Sequence, residues 1–145
     1  MIKYDIIGTF ATYANTKGYK ILYGEDWYQN YEADYNNYAN GQKVLGVDFT
    51  ARPIFQNLAV NRIEYNGVVM LGQKFDANGT PSSLDETFKQ KYDRRLLTLV
   101  TLLETVIKEI ACANDLLIGN VNVKMALNKF DTNIDFVAAE ITFIQ

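Results

Sequence analysis

The feature that most constrains this chain is a long amphipathic stretch between Ser83 and Asn114. Phe88, Tyr92, Leu96, Leu99, Leu103, Ile107 and Ile110 recur at intervals of three and four, which places them on one side of a helix. Lys91, Arg94, Arg95, Thr98, Thr105 and Lys108 fall mostly on the other side. Ser83 with Glu86 three residues later forms a capping box, and Asp85 and Glu86 suit the positive end of the helix dipole. At ~1.5 Å per residue the helix would be roughly 45 Å long, enough to cross a small sheet. Its apolar run from Leu96 to Ile107 is broken by Thr98, Thr101, Glu104 and Thr105, so it is too short and too polar to span a bilayer.

The segments around this helix read as strands. Leu45, Val47, Phe49 and Ala51 alternate with Gly46, Asp48, Thr50 and Arg52, a half-buried strand expected to end before Pro53. Asn66-Gly67 lies between two β-rich runs, Arg62–Tyr65 and Val68–Leu71. It predicts a two-residue hairpin that pairs Tyr65 with Val68 and Ile63 with Met70. After the helix, Val121, Val123, Met125 and Leu127 alternate with polar residues. A turn near Asp131-Thr132-Asn133 leads to Ile134-Asp135-Phe136 and on to Ile141–Ile144. The apolar phase switches between Phe136 and Ile141, which predicts a bulge or a strand buried on both faces near Ala138-Ala139. Near the N-terminus, Asp5–Asn15 suits a short helix stopped near Gly18, and Tyr19–Tyr23 a short strand. Helix, strands, long helix, strands, without regular βαβ alternation, predicts an α+β fold. In it an antiparallel sheet carries the long helix and the short N-terminal helix on one face. At 145 residues, with no linker or repeat, the chain reads as one domain, residues 1–145, with an aromatic-rich insertion at about 24–41.

That insertion holds Trp27, Tyr28, Tyr31, Tyr35 and Tyr38 among Asn, Asp and Glu. The asparagines and Gly41 disfavour helix, so it reads as a long ordered loop with a helical turn or two. Tyr and Trp combine large stiff contact area with a polar end and are enriched where proteins meet. The segment is therefore either an intermolecular contact or a lid packed on its own sheet. Its acids Glu25, Asp26, Glu32 and Asp34 complement a basic group on the long helix, Lys89, Lys91, Arg94 and Arg95. Leu97 projects on that same polar side. The candidate contact residues are thus Trp27, Tyr28, Tyr31, Tyr35, Tyr38, Lys91, Arg94, Arg95 and Leu97. Base stacking on single-stranded nucleic acid would need a cationic groove, and this segment is locally acidic.

Little in the chain points to chemistry. It contains no histidine, which excludes a Ser-His-Asp triad, a Cys–His pair and every His-containing zinc site. Cys112 is the single cysteine, so no intrachain disulfide forms; its place in an apolar helical run predicts a small buried hydrophobe. A net charge of −3 argues against a polycationic nucleic-acid binder. Asp131–Asp135 begins like a calcium loop, but Phe136 and Thr142 stand where Gly and Glu are required, so a turn is expected there and at Asp76–Gly79. No phosphate-binding glycine motif is present. No catalytic, cofactor or metal site is expected. A carboxylate-and-tyrosine enzyme remains a rival, as does a monomeric adaptor binding protein partners through its tyrosine-rich loop. The N-terminus shows no secretory signal, which predicts synthesis in the cytoplasm.

The succession Asp5–Asn15, Val44–Ala51, Arg62–Phe75, Ser83–Asn114 and Leu117–Gln145 resembles the tail terminator or tail completion proteins of tailed bacteriophages. The Asn- and Tyr-rich composition is similar to that of proteins of phages infecting AT-rich gut bacteria, such as crAss-like phages. The resemblance is one of element order and length, and it brings no site residues with it. It implies a non-enzymatic structural subunit of a homo-oligomeric ring, of six or a multiple, in the virion neck or tail. Such a ring joins portal or connector to tail and lets DNA pass through its lumen, without a membrane or a cofactor. Residues 24–41 depart from the compact family pattern.

Overall fold

A computed structural model of the chain describes residues 2–24, 38, 39, 41–74, 92–129 and 134–145. It is α+β. Helix α1 (Ile6–Lys17) is followed by β1 (Lys20–Tyr23), β2 (Lys43–Gln56) and β3 (Ala59–Lys74). A π-helical turn (Tyr92–Leu96) runs into α2 (Leu97–Ala113), and β4 (Leu117–Lys129) and β5 (Ile134–Ile144) complete the sheet. The strand order is β1-β2-β3-β5-β4.

Helix α1 starts where Asp5 caps it, its carboxylate accepting from the Gly8 N–H at 3.1 Å. It stops where Gly18 takes the left-handed conformation at φ 73°. Ile6, Phe10 and Ala14 face inward. On α2 the buried residues include Leu99, Leu103, Ile107 and Ile110, the stripe predicted from the spacing, with Val106 and Ala111 added. Both helices lie on one face of the sheet. There Phe10 of α1, Phe49 of β2 and Phe143 of β5 form a triangle with centroids 5.6–6.3 Å apart.

The structure corrects several expectations. The sheet is antiparallel except that β1 runs parallel to β2, pairing Lys20–Tyr23 with Val44–Val47. Adjacent parallel strands need a crossover of a dozen or more residues, and the aromatic-rich segment is that connection. The β2 strand runs through Pro53 instead of stopping before it. Ile63, opposite Pro53, exchanges both backbone hydrogen bonds with Gln145, at 2.9 and 3.0 Å. The Ile63–Pro53 pair is therefore of the non-hydrogen-bonded kind, and the proline nitrogen faces the edge beyond β1, where it interrupts no ladder among the described residues.

The Asn66-Gly67 hairpin does not form. Both residues lie in the middle of β3, opposite Thr50 and Phe49. A Cβ on Gly67 would stand 2.0 Å from the Asp48 carbonyl oxygen and 2.7 Å from the Phe49 ring. This glycine serves close approach, not a turn. The turn is at Asn57-Leu58, both at positive φ, 51° and 65°, as a type I′ hairpin requires.

Strand β5 carries no bulge, and its register with β3 is unbroken from Ile134 to Ile144. Asp135, Val137, Ala139, Ile141 and Phe143 all face the core. The apparent change of phase arises because a carboxylate occupies a core position. The irregularities fall in β4, at Ile118/Val121 and Ala126/Lys129. The capping box at Ser83 and the turns at 76–79 and 131–133 lie outside the described residues.

Candidate interaction surface

Of the predicted contact residues, Tyr38, Arg95 and Leu97 have described side chains. Trp27, Tyr28, Tyr31, Tyr35, Lys91 and the side chain of Arg94 lie outside the described residues. Tyr38 is half-buried and packs with Leu22 against Val44, on the sheet face away from the helices, while its carbonyl accepts from Lys74 Nζ at 2.9 Å. At this position the aromatic segment covers its own sheet. Leu97 is exposed, as predicted.

Arg95 is the clearest correction. It is only 4% exposed, and its Nη1 donates to Asp135 Oδ2, itself 0% exposed, at 2.7 Å. Arg95 stands three residues after Tyr92 and four before the buried Leu99, so helical spacing itself brings it to the flank of the apolar face beside Leu96. Arg95 thus belongs to an internal ion pair joining the start of α2 to β5, not to a docking face. Cys112, expected inside, is exposed.

A second charged group ties the helices together. Tyr13 of α1 donates its hydroxyl to Glu109 Oε2 of α2 at 2.5 Å, and Lys17 Nζ approaches the same oxygen at 3.3 Å. Hydrogen bonds from Tyr13 and then Lys17 hold the Glu109 carboxyl below the usual carboxylate range. Desolvation first, and the hydrogen bond to Glu109 second, push the Tyr13 phenol above its usual range. These groups flank a shallow groove of about 300 Å³ between the helices. Among the described residues no three or more His, Cys, Asp or Glu gather to hold a metal ion, and no helix is long and apolar enough to cross a membrane.

Among the described residues two apolar surfaces are left uncovered, and neither was foreseen. The first is the far end of the β2–β3 hairpin. Beyond Ile63–Gln145, the last contact with the β5 end of the chain, residues 53–62 form an arm that no further strand among the described residues flanks on either side. At ~3.3 Å per residue its tip stands roughly 15 Å past the body. A bulge leaves Asn61 unpaired, so that Phe55 faces Val60 across the ladder. Phe55 is 64% exposed, Val60 40% and Leu58, at the tip, 101%.

The second surface is β4. Among the described residues it pairs only with β5, and no strand lies on its other edge. Ile118, Val121 and Val123 project on the helix side of the sheet, but α2 does not reach over them. With Val100, Leu103 and Ile107 of α2 they line a groove of about 340 Å³, with Glu104 and Lys108 on its rim. A long, exposed, apolar edge strand is a ready template for another chain. Alternation in β4 was visible in the sequence; its half-exposure was not, because that depends on where α2 lies. The arm had one local signal, Asn57 between two β-rich runs.

No family model matches the chain, and a search of curated proteins finds no match.

Proposed function

We propose that this chain is a non-catalytic structural subunit of a phage neck or tail ring. Copies of it close around a lumen through which DNA passes, between the portal or connector and the tail. The observation that carries the reading is the pair of dissimilar uncovered surfaces, the apolar arm and the apolar β4 groove. Two unlike surfaces on one chain are what a heterologous contact requires, and repeated heterologous contacts with a closing rotation make a ring. A net charge of −3 adds to this, because such a subunit has no cationic excess with which to grip DNA moving past it.

Light scattering on the purified chain across a concentration series, with electron microscopy of the largest species, tests the proposal. A single discrete multimer with a central hole is expected, alone or with portal, connector or tail partners. A chain that stays monomeric at high concentration and joins no such partner would overturn it.

A further inference from the structure

We infer that the occupant of the α2–β4 groove is the β2–β3 arm of a second copy of this chain; the inference rests on the ring reading above. The arm cannot fill its own groove. Its two strands stay paired up to the turn, with one bulge at Asn61, and this pairing carries the tip away from the body. Strands β5 and β3 separate β4 from β2.

Leu58 is the residue that asks for a partner. It is fully exposed and so contributes no burial to its own fold. It also sits at φ 65°, where a side chain other than glycine is strained. Strain without local benefit concentrates where a contact to another molecule supplies the compensation. The groove offers the matching chemistry, with apolar walls from Val100 and Ile107 on one side and Val121 and Val123 on the other. Charge is locally balanced on both sides, with Arg62 paired to Glu64 at 3.0 Å on the arm and Glu104 to Lys108 at 4.0 Å on the groove rim, so apolar contact carries the docking.

The size of the contact fits a ring better than a pair. The arm spans ten residues and eight line the groove, half or less of the ~20–30 per side in a standard interface. A two-copy complex is then weak. Closing the ring adds one more contact intramolecularly, without a further loss of translational freedom.

Disulfide trapping in a Cys112→Ser background tests the contact. Leu58→Cys combined with Val121→Cys, and Phe55→Cys combined with Val123→Cys, place thiols on arm and groove in two registers; all four sites are exposed. The expected result, in at least one pairing, is a non-reducing ladder ending at one limiting oligomer, with every single-cysteine variant monomeric on the same gel. Covalent dimers from Val121→Cys or Val123→Cys alone would mean that two β4 edges meet about a two-fold axis, and would overturn the inference. So would a fast-migrating monomer in both pairings, in which each arm has reached its own groove. Absence of a ladder in both pairings, with a discrete multimer by light scattering, would overturn this contact and leave the ring reading standing. Monomer by both measurements would overturn this contact, and with it the ring reading if the chain also joins no portal, connector or tail partner.

Discussion

Gly67 and Leu58 show how differently two residues can depart from local rules. Gly67 keeps an ordinary strand backbone and lacks a side chain because Asp48 and Phe49 occupy the space. Gly67→Ala is expected to destabilise the fold by ~1–3 kcal/mol, since a methyl group must push apart a ladder and an aromatic ring. Urea unfolding checks it, and an unchanged midpoint would show that the strands yield freely. Leu58 is the reverse case, with a backbone that suits glycine and a side chain in solvent. Leu58→Gly is expected to raise single-subunit stability by ~0.5–1 kcal/mol, because relief of left-handed strain outweighs the added chain entropy. The same variant is expected to weaken self-association, measured by sedimentation at matched concentration. Opposite signs in the two measurements distinguish a turn kept for contact from one kept for folding.

At the level of elements, the junction between the π turn and α2 is held to β5 by the Arg95–Asp135 pair. Removing one partner of a buried pair leaves a charge without compensation, while replacing both with apolar residues of similar volume removes the desolvation cost as well. Arg95→Met is therefore expected to cost ~3–5 kcal/mol, and Arg95→Met with Asp135→Leu to recover most of that loss. Equal destabilisation in the single and double variants would show that the pair is not a unit. The α2 helix was largely legible beforehand, because Leu99, Leu103, Ile107 and Ile110 obey a local period. The placement of Arg95 was not, because it lies at the flank of the apolar face, and its burial depends on Asp135 of the distant β5. Strand β1 was legible as a strand but not as a parallel one, since its partner lies across a long connection.

For the molecule as a whole, the packing of α1 against α2 carries a pH signature through Tyr13 and Glu109. Glu109 has a lowered folded pKa, so its contribution is present above the unfolded carboxylate value and is lost as pH falls through the folded one. Tyr13 has a raised folded pKa. Its contribution is present below the unfolded phenol value and is lost as pH rises through the folded one. Stability is expected to be level across neutral pH and to fall at both ends. Tyr13→Phe should flatten the acid limb and abolish the part of the alkaline limb due to this phenol. Chemical denaturation from pH 3 to 11 checks it; identical limbs in the variant would assign the falls to other groups.

The chain ends are joined at the same scale. Tyr65, fully buried, accepts from the Tyr4 N–H and donates to Gln145 Oε1, both at 2.9 Å, while the Lys3 N–H donates to that same oxygen at 3.0 Å.

The sequence alone determined what depends on neighbours three or four positions away. That covers the short helix over Asp5–Asn15 stopped near Gly18, the apolar stripe of α2, the strand character of most other segments and the α+β class. Absence of histidine likewise ruled out whole families of chemistry without reference to any fold. Tertiary structure decided the rest: Gly67 as a point of close approach, Pro53 tolerated at a sheet edge, Asp135 on the core face, and the arm and groove left bare. Each of these depends on a strand or helix far away in the chain, and a residue carries no local trace of which distant backbone lies against it.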